Sequence, residues 1–200
     1  MIKLPKKCVV DKFIPKKIFY EKVNLSSSLK QEFVDKVDKI YWKYKISEDT
    51  LNISKTENVE EIEIFEITLK EKVDCKSIIK VITKNIPYII LFEICCNDEI
   101  QYAIKHNDDI YFTNWNEKID FNFDGIDLNI VYENIIRSVA NISEQNNNIN
   151  EELEKSKRIS EIQKEMEKLE RKMKAEKQFN RKVELNLELN KIKKELEELK

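Results

Sequence analysis

Ile86-Pro87-Tyr88-Ile89-Ile90-Leu91-Phe92-Glu93-Ile94 is a near-continuous apolar run, opened by a proline and closed by the turn-forming pair Asn97-Asp98. Its length, β-branched content and lack of alternation fit a central strand buried on both faces. A helical pattern precedes it: Asp74 is placed to cap a helix carrying Ile78, Ile79 and Ile82 that ends before Pro87. Two alternating runs follow, Ile100, Tyr102 and Ile104, then Ile110 to Trp115, with a turn at Asn107-Asp108-Asp109. They predict an antiparallel meander, whereas the helix between residues 59–70 and 86–94 permits a parallel crossover. The fold class is therefore α+β, with a mixed sheet of about four or five strands.

Upstream, Val59–Lys70 reads as a strand whose phase slips. Ile62 and Ile64 share one face, and Phe65, Ile67 and Leu69 the other. Either both faces are covered or a bulge sits near Ile64–Phe65. Glu60, Glu61 and Glu63 suit an exposed sheet edge or a basic partner. A brief strand is expected around Leu51–Ile53. Ser28-Leu29-Lys30-Gln31 resembles a capping box, and Leu29, Phe33, Val37, Ile40 and Tyr44 recur at helical spacing. They predict a helix over residues 28–45, with Trp42 beside its apolar stripe.

The first 25 residues read as an extended arm. Pro5 and Pro15 oppose helix, and Lys3, Lys6, Lys7, Lys12, Lys16, Lys17 and Lys22 interleave with Phe13, Ile14, Phe19 and Tyr20. Lys6, Lys7, Lys16 and Lys17 are the candidate phosphate contacts of a nucleic-acid patch. The alternative is an arm whose aromatics pack on the domain while its lysines stay solvated. No arginine or glycine accompanies them, which favours packing.

Asp124-Gly125 turns into a helix with Leu128, Val131, Ile135, Val139 and Ile142 on one stripe. Asn146-Asn147-Asn148 marks the end of the folded body, so the domains are 1–145 and a tail, 150–200. The tail contains no Gly or Pro. Ile159, Ile162, Met166, Leu169 and Met173 step 3-4-3-4, and Leu185, Leu189, Ile192, Leu196 and Leu199 do so with the order shifted. This is coiled-coil spacing and predicts helix pairing. Together with Phe179 and Val183, these residues are the candidate partner-binding set, compatible with a homodimer. The two registers do not join across Lys177–Lys182. A stutter in one long helix or a reversal into a hairpin would each explain that, and the lack of a breaker favours the long helix.

Composition excludes several functions. With 36 basic and 38 acidic residues the net charge is −2, so nothing global attracts nucleic acid. Gly125 is the only glycine, which removes phosphate-cradling glycine loops. His106 is the only histidine, which removes His-based triads and multi-His metal sites within one chain. Cys8, Cys75, Cys95 and Cys96 lack CxxC spacing, and neighbours 95 and 96 would face opposite sides of a strand. Reduced thiols, no metal and no cofactor are the expectation. No run is long enough for a membrane span and the N-terminus lacks a signal-peptide core, so a cytoplasmic protein is expected.

Catalysis has one candidate pair, Glu66 and Lys70. A nuclease of the PD-(D/E)xK type needs an acid and a lysine close together on a strand, with a further acid to hold a metal. Here Thr68 stands where the acid-x-lysine pattern needs a carboxylate. Asp49, Glu61 and Glu63 supply ligands only by contrivance, and solvated strand charges are the simpler reading.

Several stretches resemble one prokaryotic family, domain of unknown function 4391. They are Ile14-Pro-Lys-Lys-Ile-Phe-Tyr-Glu21, Glu60-Glu-Ile-Glu-Ile-Phe-Glu-Ile-Thr-Leu-Lys70, Ile86-Pro-Tyr-Ile-Ile-Leu-Phe92 and Tyr111-Phe-Thr-Asn-Trp115. Leu128-Asn-Ile-Val-Tyr-Glu-Asn-Ile-Ile-Arg137 and Lys177-Gln-Phe-Asn-Arg-Lys-Val-Glu-Leu-Asn186 match as well. The resemblance implies no activity and no catalytic residues. It implies an accessory role beside DNA methyltransferases and helicases of restriction-like phage-defence loci, an association rather than a site. The similar family strand often carries an acid where Thr68 stands. The expectation is a non-catalytic adaptor that binds a helicase or methyltransferase through its coil. The alternative is a DNA-binding or metal-dependent nuclease subunit.

Overall fold

The computed structural model describes residues 2–21, 25–142 and 148–199. They form two compact units, residues 1–143 and 144–200.

The first unit is built on a six-stranded sheet in which spatial order follows chain order. Its strands are β1 (Val9–Phe13), β2 (Val37–Ser47), β3 (Glu61–Leu69), β4 (Ile89–Cys96), β5 (Glu99–His106) and β6 (Asp109–Phe112). Only β3 and β4 pair in parallel; every other neighbour is antiparallel. The helices of this unit are α1 (Lys17–Glu21), α2 (Ser27–Lys36), α3 (Glu48–Leu51), α4 (Lys76–Asn85) and α5 (Leu128–Ala140). The mixed α+β sheet is as the sequence predicts, but it has six strands rather than four or five.

The two extra strands come from segments with other local signals. Residues 28–45 are not one helix. Ser26 Oγ caps α2 by accepting from the Leu29 amide, and the chain turns extended at Val37. Val37, Ile40 and Ile46 are fully buried in β2, between β1 and β3. Valine, isoleucine, tyrosine and tryptophan crowd this stretch and suit a pleated surface. The arm is not extended throughout either: a 3-10 turn, Lys6–Cys8, leads into β1, and α1 follows. Lys22 lies outside the described residues. Leu51–Ile53 is no strand; α3 ends there with Asn52 in the left-handed region at φ 57°.

The slipped phase of β3 has a two-part explanation. Both its faces are covered, and the irregularity is in its neighbour, where the β2 register shifts between Trp42 and Tyr44 opposite Phe65 and Ile64. Phe65, Ile67, Leu69, Phe92, Ile94 and Ala103 belong to one core with Phe33 of α2 and Ile78, Ile79 and Ile82 of α4. By strand alternation Ile62, Ile64, Leu91 and Ile104, all fully buried, face the other side, which α5 covers against β3, β5 and β6. Asp127 caps α5 by accepting from the Ile130 amide at 3.0 Å. Since β3 is third of six, Glu61 and Glu63 blunt no edge.

The second unit is a helical hairpin. α6 (Ile149–Ala175) and α7 (Phe179–Glu198) are separated by residues 176–178, and the single long helix is not what forms. Glu176 and Gln178 are extended, and Glu176 Oε1 accepts from the Lys177 and Gln178 amides at 2.7 and 2.9 Å. A carboxylate thus closes a turn that needs neither Gly nor Pro. Asn148 opens α6, its side chain accepting from the Asn150 amide; Asn146 and Asn147 lie outside the described residues. Leu169, Leu185 and Leu189 form the buried seam, flanked by Met166, Met173 and Ile192. Each stripe covers the other. Among the described residues no helix is long and apolar enough to cross a membrane.

Candidate functional site

Glu66 lies within β3, whereas Lys70 follows its last residue, Leu69. Lys70 Nζ donates to the Val34 carbonyl at 2.8 Å, and its amide donates to the Lys36 carbonyl at 2.9 Å. Lys16 Nζ does the same to the Val37 carbonyl at 2.6 Å. Both lysines therefore serve the C-terminal end of α2, where exposed carbonyls and the helix dipole favour cations. Burial, followed by the charge of Lys70, holds the Lys16 ammonium below its ordinary value. The acid–lysine constellation of a PD-(D/E)xK site is not assembled by this pair.

Glu66 instead meets another acid. In the parallel register it stands opposite Glu93 of β4, and Tyr41 and Tyr102 continue the same cross-strand row on either side. Glu93 is 3% exposed and its Oε1 has no hydrogen-bond partner. Burial pushes its carboxyl above the usual range; a backbone hydrogen bond from Ile2 opposes this and the charge of Glu66 adds to it. Ile2 is held on this face by the Tyr44 hydroxyl, which donates to its carbonyl at 3.1 Å. Lys43, beside the β2 irregularity, pairs with Asp11 at 2.6 Å and also feels Glu66. Cys95 lies two residues beyond Glu93 along β4, its thiol pushed up to about 12 by burial and then by the charges of Glu93 and Glu66. Burial and the neighbouring carboxylate of Glu66 both favour the protonated form of Glu93. Among the described residues no group of three His, Cys, Asp or Glu side chains is placed to hold a metal.

A second carboxyl pair lies nearer the start of β3. Glu61 pairs with Lys45, and Glu63, 3% exposed, is pushed up to about 8 by burial and then by Glu61. Sequence reading named Glu61 and Glu63 as charges and passed over Glu93. The available signal was a lone carboxylate inside an otherwise apolar run.

Lys6, Lys7 and Lys17 remain exposed, as does Phe13, while Phe19 is buried and Tyr20 half-buried. Phe13 meets Tyr41 edge to face at 5.6 Å, and Phe19 stacks on Phe33 at 6.3 Å. Phe13 keeps an exposed ring beside Lys12, whereas the ring of Phe19 is taken up by the core. Cys8, Cys75 and Cys96 are buried and unbridged.

The partner-binding set divides within the hairpin. Leu169, Leu185 and Leu189 are consumed by the internal seam and Ile162 is buried, while Ile159, Met166, Met173, Ile192, Leu196 and Leu199 are half-buried. Phe179 and Val183 are exposed. With Leu187 they form a row at four-residue spacing on α7, away from Leu185 and Leu189.

A family model described as Domain of unknown function (DUF4391) matches residues 2–196. The chain belongs to this family. The matched span takes in the sheet, the acid row, α6 and all but the last two residues of α7, so membership in DUF4391 covers both units. No curated protein and no solved structure matches the chain.

Proposed function

We propose that this protein is a non-catalytic accessory or adaptor of a prokaryotic phage-defence system of the restriction-modification kind. Its helical hairpin binds a protein partner, a helicase or a DNA methyltransferase. The observation that supports this most directly is the apolar row on α7: Phe179, Val183 and Leu187 are 78%, 43% and 59% exposed. Each large apolar side chain left in water forgoes roughly 1.5–3 kcal/mol of burial, so a row of three at helical spacing suits a partner helix laid alongside as a coiled coil. Purified chain should co-elute in size-exclusion chromatography with a helicase or methyltransferase from its own host. Val183→Glu with Leu187→Glu should abolish co-elution while the circular dichroism stays unchanged. No complex with either enzyme, or an undiminished complex of the double variant, overturns the proposal.

The Glu66–Glu93 row favours a second reading, a metal-dependent nuclease subunit. Two carboxyls in register on adjacent strands are a starting point for a divalent cation once both are ionised. That reading requires magnesium-dependent cleavage of plasmid DNA that Glu66→Ala abolishes. Cleavage without magnesium, or none at all, removes it.

A further inference from the structure

The C-terminal end of the parallel pair opens on a cleft. Its volume is about 370 Å³, and Lys72, Asp74, Lys76, Gln101, Phe112 and Trp115 line it. In sheets with parallel strands, this end is where ligands sit. Phe112 and Trp115 are half-buried and pack against the core. Lysine heads lie over their rings, Lys72 Nζ 5.2 Å from the Trp115 centroid and Lys76 Nζ 5.8 Å from that of Phe112. Each ring is thus a platform backed by the core and topped by a flexible ammonium group, which a planar base can displace.

The acids at the rim are already engaged. Glu99 pairs with Lys72 at 2.5 Å and accepts from Asn116 Nδ2 at 3.0 Å. Asp74 Oδ1 accepts from the Lys76 amide at 2.8 Å. From Lys76 a basic row continues along α4: Lys76, Lys80 and Lys84 are exposed and recur every fourth residue, on one side of the helix. The opposite side of α4 carries the buried Ile78, Ile79 and Ile82.

We infer that this face is a binding surface for single-stranded nucleic acid. Bases stack on Trp115 and Phe112, and the backbone phosphates follow Lys76, Lys80 and Lys84. A row of ammonium groups leading to aromatic platforms is the chemistry that reads a strand without reading its sequence. Duplex DNA keeps its base faces stacked and uses only the lysines. This surface shares no residue with the hairpin row or with the acid row.

The test is fluorescence anisotropy of labelled oligo-dT of about 16 nucleotides, the upper site size of a small single-strand-binding domain, with the full chain. The expected result is binding that weakens steeply between about 50 and 200 mM salt, with the single strand preferred over a duplex of equal length. Lys76→Glu, Lys80→Glu and Lys84→Glu together lie on the solvent side of α4. They should weaken binding at least about tenfold and lower the log–log salt slope by roughly 2, as three lost phosphate contacts require. Trp115→Leu should weaken it about tenfold with the slope unchanged, and Trp115→Phe should restore most of the loss. No binding at low salt, a duplex held as tightly as the single strand, or full affinity in the triple lysine variant overturns the inference. The last of these would assign the binding to the exposed Lys6, Lys7 and Lys17 instead.

Discussion

Arg158 of α6 and Glu195 of α7, 37 residues apart in the chain, meet across the hairpin, with Arg158 Nε donating to Glu195 Oε1 at 3.1 Å. The pair is exposed, so its main effect is on register rather than stability. Near the turn, Leu169 packs with Leu185 and Leu189, so the two helices are aligned at both ends by contacts within one chain.

The seam therefore predicts a monomeric loss of structure. Leu189 is 3% exposed, and Leu189→Ala should cost about 2–5 kcal/mol. Leu189→Lys should reduce helicity by circular dichroism while light scattering shows no change in mass. A dimer that dissociates with its helicity intact would instead show the stripes buried between chains.

Leu91 sits at the centre of β4, paired with Ile64 on one side and Ile104 on the other, and is fully buried. Leu91→Ala should cost about 2–5 kcal/mol in urea unfolding. A cost below about 1 kcal/mol would place the strand at the periphery of the core.

Glu63 predicts a pH dependence with a definite sign. Its folded carboxyl is raised from 4.5 to about 8 by burial and then by Glu61. Between these values the folded state binds more protons than the unfolded one, so stability falls as pH rises through that window. Glu63→Gln keeps the neutral shape and removes the titration. It should flatten the profile and raise stability above pH 8 on the order of 2 kcal/mol, shared with the coupling to Glu61. Melting temperatures across pH 5 to 9 check this.

Lys70 separates a structural role from a chemical one. If it serves the end of α2, Lys70→Ala should lower stability by roughly 0.5–1 kcal/mol. Lys70→Arg, which keeps the charge, should restore most of that. Any DNA cleavage dependent on Glu66 should persist in Lys70→Ala, because Lys70 is committed to the Val34 carbonyl.

What the sequence by itself determined was whatever its local patterns encode without competition. The apolar run ending at Ile94 could only be a buried strand, and the alternation at 100–115 could only continue a sheet. The breaker-free tail could only be helical. Residues 28–45 show the limit. Leu29, Phe33, Val37, Ile40 and Tyr44 fit a helix by spacing, yet α2 ends at Lys36 because β1 and β3 offer the next residues backbone partners on both sides. That pairing is non-local, and tertiary context overrides a local period whenever it buries more. Glu93 showed in the sequence as a lone carboxylate in an apolar run, but only the register of β3 against β4 sets it beside Glu66. The tail had two apolar stripes and no local preference for which would cover which. The choice fell to the break at 176–178, where a carboxylate satisfies the turn amides and each stripe finds its partner within its own chain.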